Sequence, residues 1–255
     1  MTICLLVMPL KVIAERCVSD DSDCIFGVFP HTGVKQISDS YGAISEDIGL
    51  ELGVETRLTS SGSLELFRED LIKGRFDIAL IGPGLFVTAS RQQKYIPLAR
   101  LINGLKFSVI VRDDSDIFQP LQLRNKTVGI VVKNSATAIV TRSLIQNAGI
   151  NIHKDQKFKV FRTIHACAFA LASEIIDACG VAEPVLATVQ EQVKVKFRKI
   201  MESETFASSV YVAHPDVSAE KQKLLQNYLL NRGRMVIAVD DDFQSYRDLL
   251  KDIQP

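Results

Sequence analysis

Hydroxyl side chains stand at the start of a helix that the sequence predicts, and such an arrangement can bind an anion. Ser135 and Thr137 lie where this helix should begin, just after an apolar strand that ends at Val132. The first backbone N–H groups of a helix lack intrahelical acceptors, and the helix dipole adds partial positive charge there. A tetrahedral oxyanion accepts many hydrogen bonds, so hydroxyls beside such an N-terminus suit it. Ser135 is equally well explained as an ordinary N-cap, and both interpretations stay open.

Further candidate residues follow other predicted strands, at the ends where open α/β sheets bind their ligands. In the N-terminal part these residues are Thr32, Ser61, Gly62 and Gly84. His165 falls at another predicted helix start. Its ring nitrogens could donate to an oxyanion or be satisfied within the protein, and neither interpretation is favoured. The four histidines show no i, i+4 pairing, so no metal site is predicted.

The composition limits the classes of function. The chain has 255 residues, 47% of them hydrophobic, which is enough to bury a full core. Its formal net charge is zero, so a basic surface for nucleic acid is not predicted, and an anion must be held by local geometry. Nucleophile-elbow, P-loop, HExxH and dinucleotide-binding motifs are missing, so neither an enzyme nor a cofactor is predicted.

The five cysteines and the N-terminus bear on the compartment. Cys17 and Cys24 flank a polar run and could form a small disulfide loop in an exported protein, although the sequence does not determine the pairing. Cys167 and Cys179 are predicted to be buried small apolar residues. Residues 2–10 are apolar, and Ala14 ends a small-residue stretch that resembles a signal-peptidase site. This pattern predicts a shortened export signal, with an ordinary buried first strand as the alternative.

Strands and helices alternate along the chain, which predicts mainly parallel sheets with helices on their faces. The pattern runs β-α-β-α-β to residue 81 and then repeats from residue 107 to residue 181. A last strand at 209–213 and a helix over 218–229 follow, and the polar, aromatic tail at 242–246 is predicted to lie on the surface. The predicted strands are 25–29, 54–58, 77–81, 107–111, 128–132, 159–161 and 176–181, and the predicted helices between them are 37–52, 64–71, 138–148 and 166–172.

Several short motifs occur in this order and carry a family resemblance. They are Leu71-Ile72-Lys73-Gly74-Arg75-Phe76-Asp77-Ile78-Ala79, then Gly82-Pro83, Asp114-Ser115-Asp116-Ile117, Lys133-Asn134-Ser135-Ala136-Thr137, and His165 with Asp177-Ala178. With them, the chain resembles the phosphonate/phosphite-type periplasmic binding proteins of ABC transporters, from about Phe26 to Tyr246. The resemblance implies a two-lobed α/β fold of the type II periplasmic binding protein (Venus-flytrap) kind. It implies a first lobe of residues 24–107 plus 208–255 and a second of 108–207, after a shortened signal or flexible N-terminus at 1–23.

The resemblance also implies a ligand site in the cleft between the lobes. Ser135, Ala136 and Thr137 match the phosphonate-binding turn of the family, and His165 matches a ligand-contacting histidine. Tyr41 matches a family tyrosine, although its spacing from neighbouring isoleucines favours a core position. Where relatives place carboxylates for a ligand amine, this chain offers only Glu183. The expected ligand is therefore a small oxyanion without an amine: phosphite, phosphate or methylphosphonate.

The function implied by the resemblance is that of an extracytoplasmic solute-binding protein for an ABC importer. Its partners would be the small anionic ligand and either the permease or a membrane sensor, and the protein would be a monomer. A cofactor-biosynthesis enzyme and a ligand sensor are the alternatives, because related two-lobed folds serve both purposes.

Overall fold

The computed structural model describes residues 15–18 and 23–253, so the predicted apolar signal at 1–14 lies outside the described residues. Two β-sheets with helices on their faces make up the protein. The first sheet lies in what we call the first lobe, together with helices α1 (Val34–Leu52), α2 (Leu64–Ile72), α3 (Pro83–Thr88) and α7 (Ala219–Asn231). Its strands are β1 (Cys24–Val28), β2 (Thr56–Thr59), β3 (Ile78–Ile81), β4 (Ile96–Leu101), β10 (Val210–Ala213) and β11 (Met235–Ile237), side by side in the order β11-β4-β10-β3-β1-β2.

The second sheet lies in what we call the second lobe, with helices α4 (Ala136–Asn147), α5 (Ile164–Ala172) and α6 (Glu183–Val193). Its strands are β5 (Phe107–Arg112), β6 (Thr127–Val131), β7 (Lys157–Phe161), β8 (Ala178–Ala182) and β9 (Phe197–Glu202), in the order β7-β6-β8-β5-β9. A last helix, α8 (Gln244–Asp252), follows β11. The two-lobed α/β architecture agrees with the prediction from sequence.

Each sheet is parallel only in part. In the first lobe β1 runs parallel to β2 and β3, and in the second lobe β6 runs parallel to β7 and β8. The strands adjoining the interlobe connections are antiparallel to their neighbours, as β10 is to β3 and β5 is to β8. The expectation of mainly parallel sheets therefore describes only the β-α-β units, because a chain that crosses between lobes enters the next sheet in the opposite direction.

Local sequence signals explain the main helices. The apolar spacing from Ile37 onward buries one face of α1, and the helix ends at Gly53. Gly53 adopts the left-handed conformation, with φ of 65°, and its N–H closes the last turn. A side chain would be strained there, so glycine is the residue that such a stop requires. The side chain of Ser63 caps α2 by accepting a hydrogen bond from the N–H of Leu66 at 3.2 Å.

The two aromatic residues of the C-terminal segment are buried, which corrects the predicted surface position of 242–246 for them, whereas Gln244 and Ser245 are exposed as predicted. Tyr246 and Phe243 are fully buried, and α8 packs mainly against α4 of the second lobe. The ring of Phe243 lies 4.4 Å from that of Phe86 in α3, so this segment contacts both lobes. A local pattern could not show this position, because the residues that cover the tail, among them Phe86, Phe107 and Phe206, lie far earlier in the chain.

The N-terminal residues that the structure describes are attached to the first lobe. Arg16 pairs with Val217 through its backbone, and Cys17 forms a disulfide with Cys24 at the start of β1. The stretch 1–23, predicted as a signal or flexible N-terminus, thus includes residues that pack on the lobe. Cys167 and Cys179 are buried as predicted, but they are joined in a second disulfide between α5 and β8. Among the described residues, no helix is both long and apolar enough to cross a membrane.

Candidate ligand-binding site

In each sheet the strand ends on one side face the other lobe, and we call this side of the sheet its cleft edge. Two short connections, residues 102–106 and 203–209, leave these edges and join the sheets. The connections pair with each other, because Leu105 and Phe206 exchange backbone hydrogen bonds of 2.8 Å in both directions. The crossings thus come just before β5 and β10.

The strand registers place all the relevant loops on these facing edges. In the first lobe the C-terminal ends of β1, β2 and β3 align with the start of β10, where the second connection enters. In the second lobe the ends of β6, β7 and β8 align with the start of β5 and the end of β9. Each of these six strands leads into a helix, so six helix N-termini border the cleft. The sequence-predicted residues at these junctions are Thr32, Ser61, Gly62, Gly84, Ser135, Ala136, Thr137, His165 and Glu183.

The two lobes touch where α3 and α4 begin. A Cβ added to Gly84 would lie 2.5 Å from the backbone nitrogen of Ala136 and 2.7 Å from the carbonyl oxygen of Asn134. No real Cβ atom approaches backbone this closely, so only glycine fits at position 84 with the lobes in this arrangement. The structure therefore brings together Gly84, Ser135 and Ala136, which were predicted as site residues from different parts of the chain.

The Ser135 hydroxyl is used within the protein. It accepts a hydrogen bond from the N–H of Ala138 at 3.2 Å and donates to the carbonyl of Val131, so Ser135 is the N-cap of α4. The hydroxyl of Thr137, by contrast, makes no hydrogen bond with any residue that the structure describes, although Thr137 is only 8% exposed. Ala136 and Thr137 occupy the first two helical positions, whose N–H groups have no intrahelical acceptor. The groups of this turn that can serve a ligand are thus these N–H groups and the Thr137 hydroxyl.

The next junction, between β7 and α5, contains His165 and the cation Arg162, and a second cation, Lys133, lies at the β6–α4 junction. His165 is partly exposed in the first turn of α5, behind Thr163, which caps the helix by accepting from the N–H of Ala166 at 3.1 Å. Arg162 directly precedes that cap, and Lys133 lies in the loop before α4; both are exposed. The sequence interpretation did not single out these two cations, although their positions after predicted strands were a usable signal.

On the first lobe, Tyr41 contacts a histidine at the β1–α1 junction. The Tyr41 hydroxyl lies 3.5 Å from Nε2 of His31, and the two rings meet edge to face at 5.7 Å. Burial raises the pKa of Tyr41, so its hydroxyl remains a protonated donor at neutral pH. Tyr41 also packs against the core of this lobe, as its helical spacing suggested. The hydroxyl of Thr32, which lies nearby, donates a hydrogen bond to the side-chain oxygen of Gln36.

The Ser61–Gly62 loop is held by residues of its own lobe. The Ser61 hydroxyl donates to the carboxylate of Asp70 in α2 at 3.3 Å, and Ser60 donates to the carbonyl of Val28 at 2.7 Å. Gly62 is exposed, and a Cβ there would meet nothing within 4 Å. This loop therefore borders the cleft without touching the second lobe at Gly62.

Glu183, the acid predicted for a ligand amine, already has partners. Its carboxylate accepts a hydrogen bond from the Ser108 hydroxyl and lies 2.6 Å from the ammonium nitrogen of Lys199 in β9. Lys199 was missed in the sequence because β9 was not predicted. The structure thus places Glu183 at the cleft edge but pairs its charge internally.

One group of side chains within the described residues has metal-ligand spacing, and its ligand atoms are engaged elsewhere. This group is Cys17, Cys24 and Asp77. The two sulfurs are bonded to each other, and the Asp77 carboxylate accepts hydrogen bonds from Arg16 and from the N–H of Ile25. It lies at the start of β3, opposite the cleft edge.

The fold and the cleft define the class of protein, a two-lobed periplasmic binding protein. A binding protein component of an ABC phosphonate transporter from Pseudomonas aeruginosa superposes with a TM-score of 0.76 at 15% identity, covering 92% of this chain and 87% of that chain. A protein of Prochlorococcus marinus (MIT 9301), solved in complex with methylphosphonate, gives a TM-score of 0.78 at 14% identity, covering 90% and 97%. At these identities the likeness establishes the fold alone.

The family model described as "ABC transporter, phosphonate, periplasmic substrate-binding protein" matches residues 26–254, and the chain belongs to this family. The resemblance read from the sequence motifs is confirmed. A protein of Brucella abortus (strain 2308) that is named as a binding protein is 26% identical over 227 residues. The match covers 84% of this chain and 66% of that relative, so the chain spans slightly less than two thirds of the relative's length.

Proposed function

We propose that this protein is an extracytoplasmic solute-binding protein that captures a small oxyanion in the interlobe cleft for an ABC importer, without catalysing a reaction. The observation that carries the proposal is the meeting of the α3 and α4 N-termini across the cleft. There the Thr137 hydroxyl and the first N–H groups of α4 remain available to an acceptor-rich ligand. Family membership supports the same class of function.

The local charge supports an anion even though the net charge of the protein is zero. The loops that lead from strands into helices at the cleft are residues 29–33, 60–63, 82, 132–135 and 162–163. They contain two cations, Lys133 and Arg162, and no Asp or Glu, and the acid that opens the sixth junction, Glu183, is paired with Lys199. Positive groups gathered at a cleft raise the local concentration of an anion whatever the net charge. Phosphite, phosphate and methylphosphonate are the ligands that suit this site best.

The mechanism we propose is lobe closure over the ligand. The proposed lobes are residues 24–107 with 208–255, and residues 108–207, with α8 lying across both. A ligand that contacts both lobes stabilises the closed form by its differential affinity for that form. The closed protein would act as a monomer and present a surface made of both lobes to a permease.

The proposed location is the periplasm. Two disulfides, Cys17–Cys24 and Cys167–Cys179, are what an oxidising compartment allows. An export signal within residues 1–23 remains our proposal, and its apolar part lies outside the described residues. The attachment of Arg16 to Val217 and of Cys17 to Cys24 is compatible with cleavage after Ala14.

The test is titration calorimetry of the full chain with phosphate, phosphite and methylphosphonate, repeated with Thr137→Val. This variant keeps the shape of the side chain and removes the hydroxyl. A hydrogen bond to a charged group contributes about 1.5–3 kcal/mol, so we expect the Kd to rise about 10- to 100-fold. The control is Thr141→Val, one turn later on α4, whose buried hydroxyl lacks a partner among the described residues and faces Gly180.

Two outcomes would count against the proposal. If the wild-type protein bound none of the three oxyanions, the ligand class would be wrong. If it bound one of them equally well in both variants, Thr137 would not be a ligand residue, and the meeting of α3 and α4 would no longer support the site.

A further inference from the structure

A row of alternating charges crosses the hinge-side end of the second sheet. Lys106, in the first interlobe connection, lies 3.2 Å from Glu202, and Glu202 lies 3.1 Å from Lys199. Lys199 in turn lies 2.6 Å from Glu183, which also accepts from Ser108. We call these five residues the hinge-side charge row. They come from neighbouring elements because β8, β5 and β9 lie side by side, with the ends of β8 and β9 and the start of β5 at the cleft edge.

The Glu183 carboxylate is held firmly within this row. Ser108 is completely buried, so its hydroxyl has no access to water and stays directed at Glu183. The hydrogen bonds of Lys199 with Glu183 and Glu202 raise the pKa of its ammonium group, which therefore remains charged. The side chain of Glu183 is 24% exposed and that of Lys199 is 39% exposed. The pair is thus reachable from solvent at the edge where the six helices begin.

This pairing has a consequence for ligand choice. A carboxylate beside a bound phosphonate can hold a ligand amine only if it is free to accept that charge. Here the ammonium group of Lys199 is already paired with the Glu183 carboxylate, and it would repel the ammonium group of an aminated ligand. Discrimination between ligands often depends on such a repulsive element as well as on attractive contacts.

We infer that Lys199 is a specificity-determining residue, which neutralises Glu183 from within the chain and so favours oxyanions without an amine over aminated ones. The inference rests on the proposed function, since it concerns ligands of the same cleft. It adds a residue of β9 to the site and gives it a role in selecting the ligand class.

The test compares methylphosphonate with 2-aminoethylphosphonate by titration calorimetry on the full chain. The wild-type protein should bind methylphosphonate more tightly. In Lys199→Met the ratio of the two dissociation constants should shift towards the aminated ligand by about tenfold or more, because Glu183 is left unpaired. The matched control is Lys106→Met, which removes an ammonium group that contacts Glu202 but not Glu183 and keeps the Lys106 carbonyl, to which the N–H of Glu183 donates at 2.9 Å. Its ratio should stay at the wild-type value.

A second variant keeps the inference testable if Lys199→Met does not fold. Glu183→Gln keeps an acceptor for Ser108 but removes the carboxylate, so Lys199 retains only Glu202 as an acidic partner among the described residues, and the ratio should move the other way, against the aminated ligand. If neither variant changes the ratio by more than about threefold while methylphosphonate still binds, the inference is overturned and the proposed function stands. If the wild-type protein binds neither phosphonate, the inference is overturned, and the proposed function falls with it only if phosphate and phosphite also fail to bind.

Discussion

In each lobe an aspartate just before a central strand ties that strand to its neighbour by the same two hydrogen bonds, but the surroundings of the two aspartates differ. In the first lobe Asp77 precedes β3, and its carboxylate accepts from the N–H of Ile25 at 2.7 Å. In the second lobe Asp177 precedes β8 and accepts from the N–H of Thr127, also at 2.7 Å. The backbone N–H of each aspartate donates back to the same residue, at 3.0 and 2.9 Å. The same pair of hydrogen bonds thus ties β1 to β3 in the first lobe and β6 to β8 in the second.

The surroundings of the two aspartates differ in burial and charge. Asp77 is 7% exposed and lies 3.0 Å from the guanidinium of Arg16, beside the Cys17–Cys24 disulfide. The side chain of Asp177 is 37% exposed, and its cation, Lys126, lies 3.8 Å away. The difference teaches that an identical hydrogen bond can have unequal energetic weight, because a charge left unpaired in the interior costs more than one left in water.

The largest expected effect separates these two aspartates. Asp77→Ala should lower the free energy of unfolding by about 3 kcal/mol, because it removes the nearer of the two carboxylates that face Arg16 and leaves the N–H of Ile25 without its acceptor. Asp177→Ala should cost about 1 kcal/mol, since water can replace the lost contacts. Urea unfolding followed by circular dichroism measures both. Equal losses would show that burial does not distinguish the two connections.

An intermediate variant sharpens the comparison. Asp77→Asn keeps an oxygen that can accept from Ile25 and removes the charge that faces Arg16. Its loss should fall between those of the two alanine variants. A loss as large as that of Asp77→Ala would assign the whole effect to the ion pair.

The sequence predicted the first lobe better than the cleft. The apolar spacing of α1 and its glycine stop are local signals, and Gly53 and Gly149 both adopt the left-handed conformation expected after a helix. Helix α6 was missed, although Pro184 in its first turn is typical of a helix start. The position of α8 could not be predicted, because Tyr246 is buried by Phe206 and Phe107, far away in the sequence.

In the candidate site, too, the local sequence predicted individual residues but not the contacts between residues that are distant in the chain. Ser135 and Gly84 could be proposed because each follows a strand and precedes a helix. That they touch across the lobes depends on the interlobe arrangement, which no local pattern encodes. The role of Lys199 depends on the pairing of β5 with β9 across an irregular register, so Glu183 appeared unpaired in the sequence.

The next largest expected effect is on ligand affinity, and it concerns Gly84, where the first lobe packs closely against the second. Gly84→Ala should raise the ligand Kd about 10- to 100-fold, because the methyl group would meet the backbone of residues 134–136 when the lobes close, and overpacking costs about 1–3 kcal/mol. Gly84 lies in a helix, where alanine is favourable, so the first lobe itself should stay folded.

The matched control for that variant is Gly62→Ala, at the junction where a new Cβ meets nothing within 4 Å. Its Kd should stay within about twofold of wild type, and calorimetry compares the two variants. Equal affinities in Gly84→Ala and wild type would mean that ligand binding does not need the α3–α4 contact.

The smallest expected effect is a pH dependence confined to the first lobe. His214 is 5% exposed, and burial, followed by the nearby Arg16 charge, lowers its pKa below the ordinary value of 6.5. The carboxylates of Asp216 and Asp77 oppose this shift, and the ring of Tyr95 packs against the imidazole at 5.3 Å. The unfolded chain therefore takes up a proton at a higher pH than the folded protein does.

The sign of the effect follows from this difference in proton binding. The contribution of His214 is fully present above about pH 6.5 and is lost as the pH falls below that value, because only the unfolded state then gains a proton. His214→Asn keeps an acceptor for the N–H of Asp216, which Nδ1 now accepts at 3.2 Å, and removes the titration. Its free energy of unfolding should decline less than that of wild type between pH 7.5 and 5.5. His153→Gln, at an exposed position of the second lobe, should retain the wild-type decline, and identical declines in all three proteins would remove His214 as the cause.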